Sequence, residues 1–320
     1  MGKPTGFIDY ERRPMPARPP LVRLHDISVE ASGRDAVFRT ASSPAAQLWL
    51  DDARLTGPGR TVSKMWTEGW GGVYVTDISL TDSRDGIWAT LARNANLERI
   101  GSDPFSGSRV VINSSVIDVD RQGTDFHPDI YQIYGPGTTF DNLIVYGLGA
   151  YDAKAQGIFA RGCDAVNNSA FVNVAIECVD DTMLSQWRVP SNHVLFWHVT
   201  HLSKPFWWRE DPARGVYGAN WRNVHVQASV FETILSEVPL DEVTFSDNHY
   251  ISTTGLRPGS EYTTGDPRLV DRRRNNFLPA PGSPLLNRIG VPLWQATKEP
   301  SSHVGAAVEP PQASGSTSGS

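Results

Sequence analysis

The chain contains short runs in which apolar and polar residues alternate, a pattern typical of strands that bury one side. Nine such runs recur, and they begin at Leu24, Leu50, Val75, Ile112, Phe140, Val166, Leu195, Val224 and Val243. Successive starting residues are separated by 26, 25, 37, 28, 26, 29, 29 and 19 positions. Because no amphipathic helix pattern lies between the runs, their recurrence predicts a solenoid in which each repeat forms one coil.

A second short run follows the first in several repeats. It opens with a polar residue and leads into an apolar pair, as in DAVFRTA (35–41), DGIWATL (85–91), DIYQIYG (129–135), QGIFARG (156–162) and DTMLSQW (181–187). Several strands per repeat predict an all-β fold: a right-handed, single-stranded parallel β-helix of about nine coils, with neighbouring strands about 4.8 Å apart. The long step of 37 positions predicts an insertion at 94–109, which would be either a loop that projects from the body or an ordinary long turn.

Composition sets the boundaries of this domain. Residues 1–21 are rich in Pro and Arg and predict an irregular leader, residues 22–290 form the β-helix domain, and residues 291–320 predict a disordered tail. The net charge is −6 without a basic block, which argues against nucleic acid as a partner. No apolar stretch approaches the roughly 20 residues that span a bilayer, so no membrane partner is expected. We expect a monomer.

The repeats resemble the pectate-lyase-like superfamily of right-handed parallel β-helix proteins. The segment GDPRLVDRRRNNFLPAPGSPLLNRIG (265–290) is similar to the element that closes the helix in bacterial members. The resemblance implies the fold and an exported protein, but it leaves the activity open, since the superfamily includes lyases, hydrolases, epimerases and non-catalytic adhesins.

Residues 1–13, MGKPTGFIDYERR, are similar to the start of the small subunit of glutamate synthase. That protein continues into cysteine-rich iron–sulfur motifs and dinucleotide-binding glycine motifs, which this chain lacks, with its two cysteines at Cys163 and Cys178. The similarity therefore indicates a fused or misassembled leader and carries no catalytic role.

The residues that open the second runs form one predicted column along the coils: Asp35, Asp85, Asp129, Gln156 and Asp181. One interpretation is structural, because Asp and Gln at a repeated bend hydrogen bond to backbone groups and stack as a polar ladder. The other is functional, because only the turns around residues 125–187 add further titratable groups. Residues two coils apart lie roughly 9–10 Å apart, close to the carboxylate separation of inverting glycosidases.

The functional interpretation predicts general acid/base chemistry at His127, Asp129 and Asp181, with Lys154 and Arg161 as base or carboxylate clamp. Asp152 and Asp180 are candidate ligands for Ca²⁺, a hard ion that favours several oxygens, and no other cofactor is indicated. The VDD run at 179–181 matches the D-D motif of polygalacturonase-like hydrolases, but their N-T-D and G-H-G motifs are absent.

Substrate contacts are predicted from polar and aromatic residues near this column: Gln132, Gln156, Gln186, Trp187, His201, Trp208 and Arg209. Neighbouring residues on a strand point to opposite sides, so one ring of the pair Trp207 and Trp208 is expected to face outward, where it would stack on a sugar.

Two functions follow. The first is an enzyme that acts on a polysaccharide, more specifically an acidic one, as a lyase or a glycoside hydrolase. Its groove would be walled by the 94–109 insertion and the tryptophan-rich turns. The second is a non-catalytic glycan-binding or structural repeat protein whose polar column is only a ladder.

Overall fold

The structure is a computed structural model that describes residues 20–33, 36–40, 46–62, 66–120, 127–178, 185–210, 221–237, 239–272, 276–286, 293–294 and 300–301. These residues form strands and no α-helix, so none of them lies in a helix that could cross a membrane. The strands are β1 (Leu21–Glu30), β2 (Phe38–Arg39), β3 (Gln47–Gly59), β4 (Thr67–Glu68), β5 (Gly72–Ser83), β6 (Leu91–Ile100), β7 (Phe105–Ser106), β8 (Val110–Val119), β9 (Asp129–Ile133), β10 (Thr139–Asp141), β11 (Ile144–Ala153), β12 (Gln156–Ala160), β13 (Ala165–Cys178), β14 (Ser185–Trp187), β15 (Ser191–Leu202), β16 (Phe206–Trp208), β17 (Trp221–Gln227), β18 (Val230–Phe231), β19 (Ile234–Ser236), β20 (Val243–Ser246), β21 (Asn248–Tyr250), β22 (Tyr262–Thr264), β23 (Leu269–Asp271), β24 (Asn276–Pro279), β25 (Leu293–Trp294) and β26 (Pro300–Ser301).

One parallel sheet of 14 strands dominates the fold, with the main order β1-β3-β5-β6-β8-β11-β13-β15-β18-β21-β22. A second parallel sheet has the order β19-β16-β14-β12-β9-β7, and β2 pairs with β4. The second sheet contains β9 and β12, from the runs predicted at 129–135 and 156–162, and β14, which is the described end of the run predicted at 181–187. Strands that are neighbours in these sheets are separated along the chain by most of a repeat, as a parallel β-helix requires.

The core is built from equivalent positions of successive large-sheet strands. One such row runs through ten strands, and its members from Leu50 onward are buried: Leu24, Leu50, Val75, Ala92, Val111, Val145, Phe171, Phe196, Val226 and Phe245. Phe171 and Phe196 stack with their ring centroids 5.0 Å apart. The predicted alternation of buried and exposed residues thus places the apolar side chains of successive strands in contact, and these contacts form one continuous core.

The predicted projecting loop at 94–109 is wrong. Residues 91–100 form β6, which lies in the large sheet between β5 and β8, and β7 belongs to the second sheet. The long step therefore contains two short coils, since Val75 pairs with Ala92 and Ala92 pairs with Val111. Two of the buried residues of β6, Ala92 and Ala95, are small, so this segment lacks the large apolar residues that mark the other coils and resembles a polar loop in sequence.

The long strands bend at corners where one residue per coil adopts a positive φ. In the large sheet these residues are in register over ten strands: Asp26, Asp52, Asp77, Asn94, Asn113, Gly147, Asn173, His198, Ala228 and Asp247. Seven of the ten are Asp or Asn, the non-glycine residues that best tolerate this conformation. The recurring Asp and Asn of the repeats are therefore largely corner residues, which favours a structural interpretation for those positions.

The C-terminal element packs along the side of the solenoid across several coils. β23 and β24 form an antiparallel pair, and the ring of Phe277 lies 5.4 Å from that of Tyr151. Phe277 and Leu285 share a buried cluster with Leu202 and Val230. Arg272 Nε also donates to Glu177 Oε1 at 2.9 Å, which fixes the hairpin to β13.

Candidate functional site

The outward side of the second sheet carries one side chain from each coil in a straight row. Strand pairing places these residues in register: Ser106, Gln132, Phe159, Gln186, Trp207 and Leu235. The intervening residues Tyr131, Ile158 and Phe206 are buried in the core. Strands of neighbouring coils lie about 4.8 Å apart, so the row is linear. Gln132, Gln186, Trp207 and Leu235 are partly exposed along it, whereas Ser106 and Phe159 are buried.

His127 and Asp129 form the centre of the site at the start of β9. His127 Nδ1 lies 3.3 Å from Asp129 Oδ1, and Gln132 Nε2 donates to Asp129 Oδ2 at 3.0 Å. The side chain of Asp129 is fully buried, whereas that of His127 is 45% exposed. Since a carboxylate accepts hydrogen bonds, this contact fixes the proton on Nδ1 and leaves Nε2 as the atom that can take or give a proton.

A second carboxyl group supports this pair from the preceding coil. The backbone N–H of Asp129 donates to Asp103 Oδ1 at 2.8 Å. Burial and the nearby Asp129 raise the pKa of Asp103 to about 7, and burial also raises the pKa of Asp129. The hydrogen bond that His127 donates to Asp129 raises the pKa of His127, while burial and Arg161 act in the opposite direction.

The exposed part of His127 opens into a pocket of about 230 Å³ lined by Gln132, Tyr134, Phe159 and Arg161. The Phe159 ring lies 5.4 Å from the imidazole and covers one side of it. Tyr134 is half exposed, and its phenol is a proton donor or acceptor. The pocket thus combines an imidazole, a phenol, an amide and a guanidinium, which is a set suited to proton transfer beside an anionic group.

Part of the predicted column is present in the structure, because Asp129 and Gln156 are in register between β9 and β12. Gln156 is buried, and its Oε1 atom has no hydrogen-bond partner among the described residues. Asp35, Asp180 and Asp181 lie outside the described residues. The predicted pair of Asp129 and Asp181, and the Asp180 part of the Ca²⁺ site, therefore stay predictions.

Lys154 and Asp152 do not belong to the pocket. Lys154 Nζ donates to Asp120 Oδ2 at 2.8 Å, and this contact raises the pKa of Lys154. Asp152 is an exposed corner residue with a φ of 54°, in register with the corner residue Asp118. Among the described residues no group of three His, Cys, Asp or Glu side chains is placed to hold a metal ion.

Three predicted substrate contacts are corrected, because Trp187, Trp208 and His201 are buried. His201 Nδ1 donates to Lys204 O at 3.0 Å, and Nε2 accepts from the Ser185 hydroxyl at 2.6 Å. Burial lowers the pKa of His201 to about 4, so this histidine is a neutral core residue. The alternation on β16 instead brings Trp207 outward.

Gln186 and Arg209 lie on or beside the outward row, three and four coils beyond β7. Arg209 Cζ lies 3.8 Å from the centre of the Trp207 ring, and Arg209 Nε is 3.0 Å from Glu237 Oε1. The predicted Gln132 and Arg161 line the His127 pocket. The predicted site is therefore split, with His127, Asp129, Gln132 and Arg161 together and Arg209 farther along the row.

The sequence interpretation missed Asp103 and Tyr134. Asp103 was hidden in the segment taken for a loop, although its position before Phe105 repeats the pattern of Asp129 before Tyr131. Tyr134 follows β9 directly and belongs to the apolar pattern of the run DIYQIYG. Recognising the short coil would have placed Asp103 beside Asp129.

Comparison with known proteins adds no relative to this picture. A scan against protein-family models, a search of curated proteins and a search of solved structures returned no match. Because fold does not fix function, the site itself is the basis for a functional proposal.

Proposed function

We propose that the protein is a polysaccharide lyase that cleaves a uronate-containing chain by β-elimination. The observation that carries this proposal is the exposed His127, fixed by the buried Asp129, in a pocket that also contains Arg161 and Tyr134. Such a pocket supplies a base, a proton donor and a cation within one small volume. β-Elimination beside a carboxylate needs these three groups.

The roles follow from the chemistry of each group. Arg161 and the amide of Gln132 bind the uronate carboxylate and make the adjacent C–H more acidic. Neutral His127 removes that proton through Nε2, and the electron pair forms a C=C bond as the C–O bond to the leaving sugar breaks. The phenol of Tyr134 donates its proton to the leaving oxygen. Afterwards His127 loses its proton to water and Tyr134 regains one.

The position of the carboxyl groups favours elimination over hydrolysis, because none of those described faces the pocket. A glycoside hydrolase needs two carboxyl groups that face the scissile bond. Asp129 is buried, and both of its oxygen atoms are in contact with side chains of the site, His127 and Gln132. Among the described residues that line the pocket there is no carboxylate. Asp129 is therefore assigned as a positioning residue for the imidazole.

We also propose that the chain is a right-handed β-helix of about nine coils related to the pectate-lyase-like superfamily. Its two parallel sheets support this relationship, as does the packing of Phe277 and Leu285, from the described part of the 265–290 element, against β11 and β15. Residues 22–290 would form this domain. A member of that superfamily that cleaves an acidic polysaccharide would meet its substrate outside the cell.

A non-catalytic glycan-binding repeat protein is the second candidate, and a specific observation favours it. Polar side chains of neighbouring coils bond to one another along the stack, as Ser106 does to Gln132 at 3.1 Å and Asp103 does to the Asp129 backbone. A ladder of this kind stabilises the solenoid whether or not the pocket is catalytic.

Incubation with a panel of uronate polysaccharides tests the two candidates. We expect the ultraviolet absorbance of an unsaturated uronate to rise together with the number of reducing ends. His127→Gln should abolish both signals, and His225→Ala, which changes an exposed histidine on β17, should leave them intact. Reducing ends without ultraviolet absorbance would indicate hydrolysis. Silence in both assays across the panel, with and without added Ca²⁺, would favour the binding module.

A further inference from the structure

A second depression lies at the other end of the same row, beside β7. It has a volume of about 310 Å³, and its lining includes Trp70, Trp88, Ser106 and Arg109. The indole of Trp88 is 63% exposed, the largest exposed fraction among the large apolar residues of the described chain. A large aromatic surface held open to solvent beside a depression is a common feature of ligand sites.

The aromatic residues of this depression are held in place by neighbouring coils. Trp70 Nε1 donates to Phe38 O at 3.0 Å. The N–H of Ile87 donates to Pro104 O at 3.2 Å, which aligns Trp88 with Ser106 and extends the outward row by one coil. The two indoles thus border the depression from adjacent coils, and Trp88 presents its ring to solvent.

Part of the depression consists of bare backbone, because Gly69, Gly71 and Gly72 contribute no side chains to its lining. Gly69 has a φ of 81°, and a Cβ atom there would lie 2.5 Å from Thr40 O. Thr67 and Thr90 add hydroxyl groups to the lining. Backbone and hydroxyl groups beside an aromatic face provide the apolar surface and the few polar contacts with which proteins orient a small polar ring.

Arg109 gives this depression a positive charge. Its guanidinium lies 5.8 Å from the centre of the Phe140 ring and donates to the backbone at Asp141 O, at 3.5 Å. The side chain is exposed, and no described carboxylate lies within 4.0 Å of it. A guanidinium without a protein carboxylate is well suited to bind an anionic ligand group.

The depression is joined to the His127 pocket through two residues of the row. Ser106 lines the depression and donates to Gln132 Oε1 at 3.1 Å, and Gln132 lines the pocket. The N–H of Gly107 also donates to Gln132 O at 2.9 Å. The two sites are therefore neighbours on one face, separated by a single pair of bonded coils.

We infer that this depression is a binding subsite for a further uronate residue of an acidic polysaccharide, beyond the two residues whose linkage lies in the His127 pocket. This residue is stacked on Trp88 and held through its carboxylate by Arg109. The inference rests on the proposed lyase function, since it identifies the polymer that reaches the His127 pocket along the row. Trp88 would make the protein prefer longer oligomers, and Arg109 would make it prefer charged ones. Neither residue takes part in the chemistry.

The test measures binding by isothermal titration calorimetry with dimers to hexamers from galacturonan, mannuronan, guluronan and glucuronan. Trp88→Ala should weaken hexamer binding roughly tenfold and leave dimer binding unchanged, because a dimer occupies only the His127 pocket. Arg109→Gln should weaken binding of the uronate hexamer but not of a hexamer whose carboxylates have been reduced to alcohols. Tyr262→Ala, which removes an exposed aromatic ring on β22, is the matched control and should change neither affinity.

The outcomes separate this inference from the lyase proposal. Length-dependent loss of binding in Trp88→Ala without any cleavage would support the subsite and remove the catalytic role of His127. Cleavage by a Trp88→Ala variant with unchanged affinity and unchanged KM for hexamers would overturn the subsite and leave the lyase in place. Equal loss of dimer and hexamer binding, or no binding of any oligomer, would also overturn the subsite.

Discussion

The backbone N–H of Asp129 donates to the Oδ1 atom of Asp103 at 2.8 Å, across the boundary between two coils. This bond ties the buried carboxylate that orients His127 to a second carboxyl group with a raised pKa. Three titratable groups therefore act as one unit, and Arg161 is the cation that faces them across the pocket. The charge of each group changes the proton affinity of the others.

Asp103→Asn should stabilise the fold at pH 8 but not at pH 4. The folded pKa of Asp103 is about 7, above the unfolded value of about 3.9, so ionisation costs the folded state free energy as pH rises through this window. The amide keeps an acceptor for the Asp129 N–H. We expect a gain of about 2–4 kcal/mol in the free energy of unfolding above pH 7. Urea denaturation at both pH values measures it, and an equal gain at pH 4 would contradict the assigned cause.

Asp129→Asn should lower the pKa of His127 and reduce elimination by about 100-fold or more, because the imidazole loses the carboxylate that stabilises its charge and fixes its tautomer. The acidic limb of the pH–rate profile should move to lower pH, since the base becomes neutral earlier. An NMR titration of His127 reports this shift without substrate, and the resonance of His225 serves as the unaffected reference. A pKa of His127 that stays in place would refute the positioning role of Asp129.

The sequence predicts the solenoid because its signal is repeated in most coils. Register between Leu24, Leu50 and Val75 follows from the first two spacings, and the pairing of Asp129 with Gln156 follows from the second runs. The short coil at 91–100 could not be found this way, because two of its buried positions, Ala92 and Ala95, carry alanine rather than a large apolar residue.

The site was harder to predict than the fold for related reasons. A missed coil removes its side chains from the predicted column, as happened to Asp103. Corner residues such as Asp152 share the amino-acid types of catalytic carboxylates but serve a backbone with positive φ. The alternation of side chains predicts that one of Trp207 and Trp208 faces outward. Which of the two does so depends on how β16 pairs with β14, and this register cannot be read from a strand of three residues.

Gly157→Ala should destabilise the protein by about 1–3 kcal/mol through crowding. A Cβ atom there would lie 2.3 Å from Ser185 Oγ and 2.9 Å from His201 Nε2. Ser185 cannot move freely, because its hydroxyl also accepts the Ile158 N–H at 2.9 Å. Adding Ser185→Ala removes the crowded oxygen, so the double variant should lose less stability than the sum of the two single variants. Additive losses in urea denaturation would show that the crowding is relieved elsewhere.

Phe277→Ala should detach the C-terminal hairpin from the side of the solenoid. The ring is buried against Tyr151, and truncating a buried Phe costs about 3–5 kcal/mol when its cavity stays open. Arg272→Ala removes the partly exposed ion pair with Glu177 and should cost less than about 1 kcal/mol of stability.

Hydrogen exchange measured on Phe277→Ala shows where the stability is lost. We expect faster exchange in 265–286 and in the strands beneath it, β11 and β15, with exchange in the second sheet unchanged. Uniformly faster exchange across both sheets would instead mean that the hairpin and the solenoid unfold as one cooperative unit. Only a hairpin that opens separately from the solenoid leaves the second sheet, which carries the His127 pocket, protected from exchange.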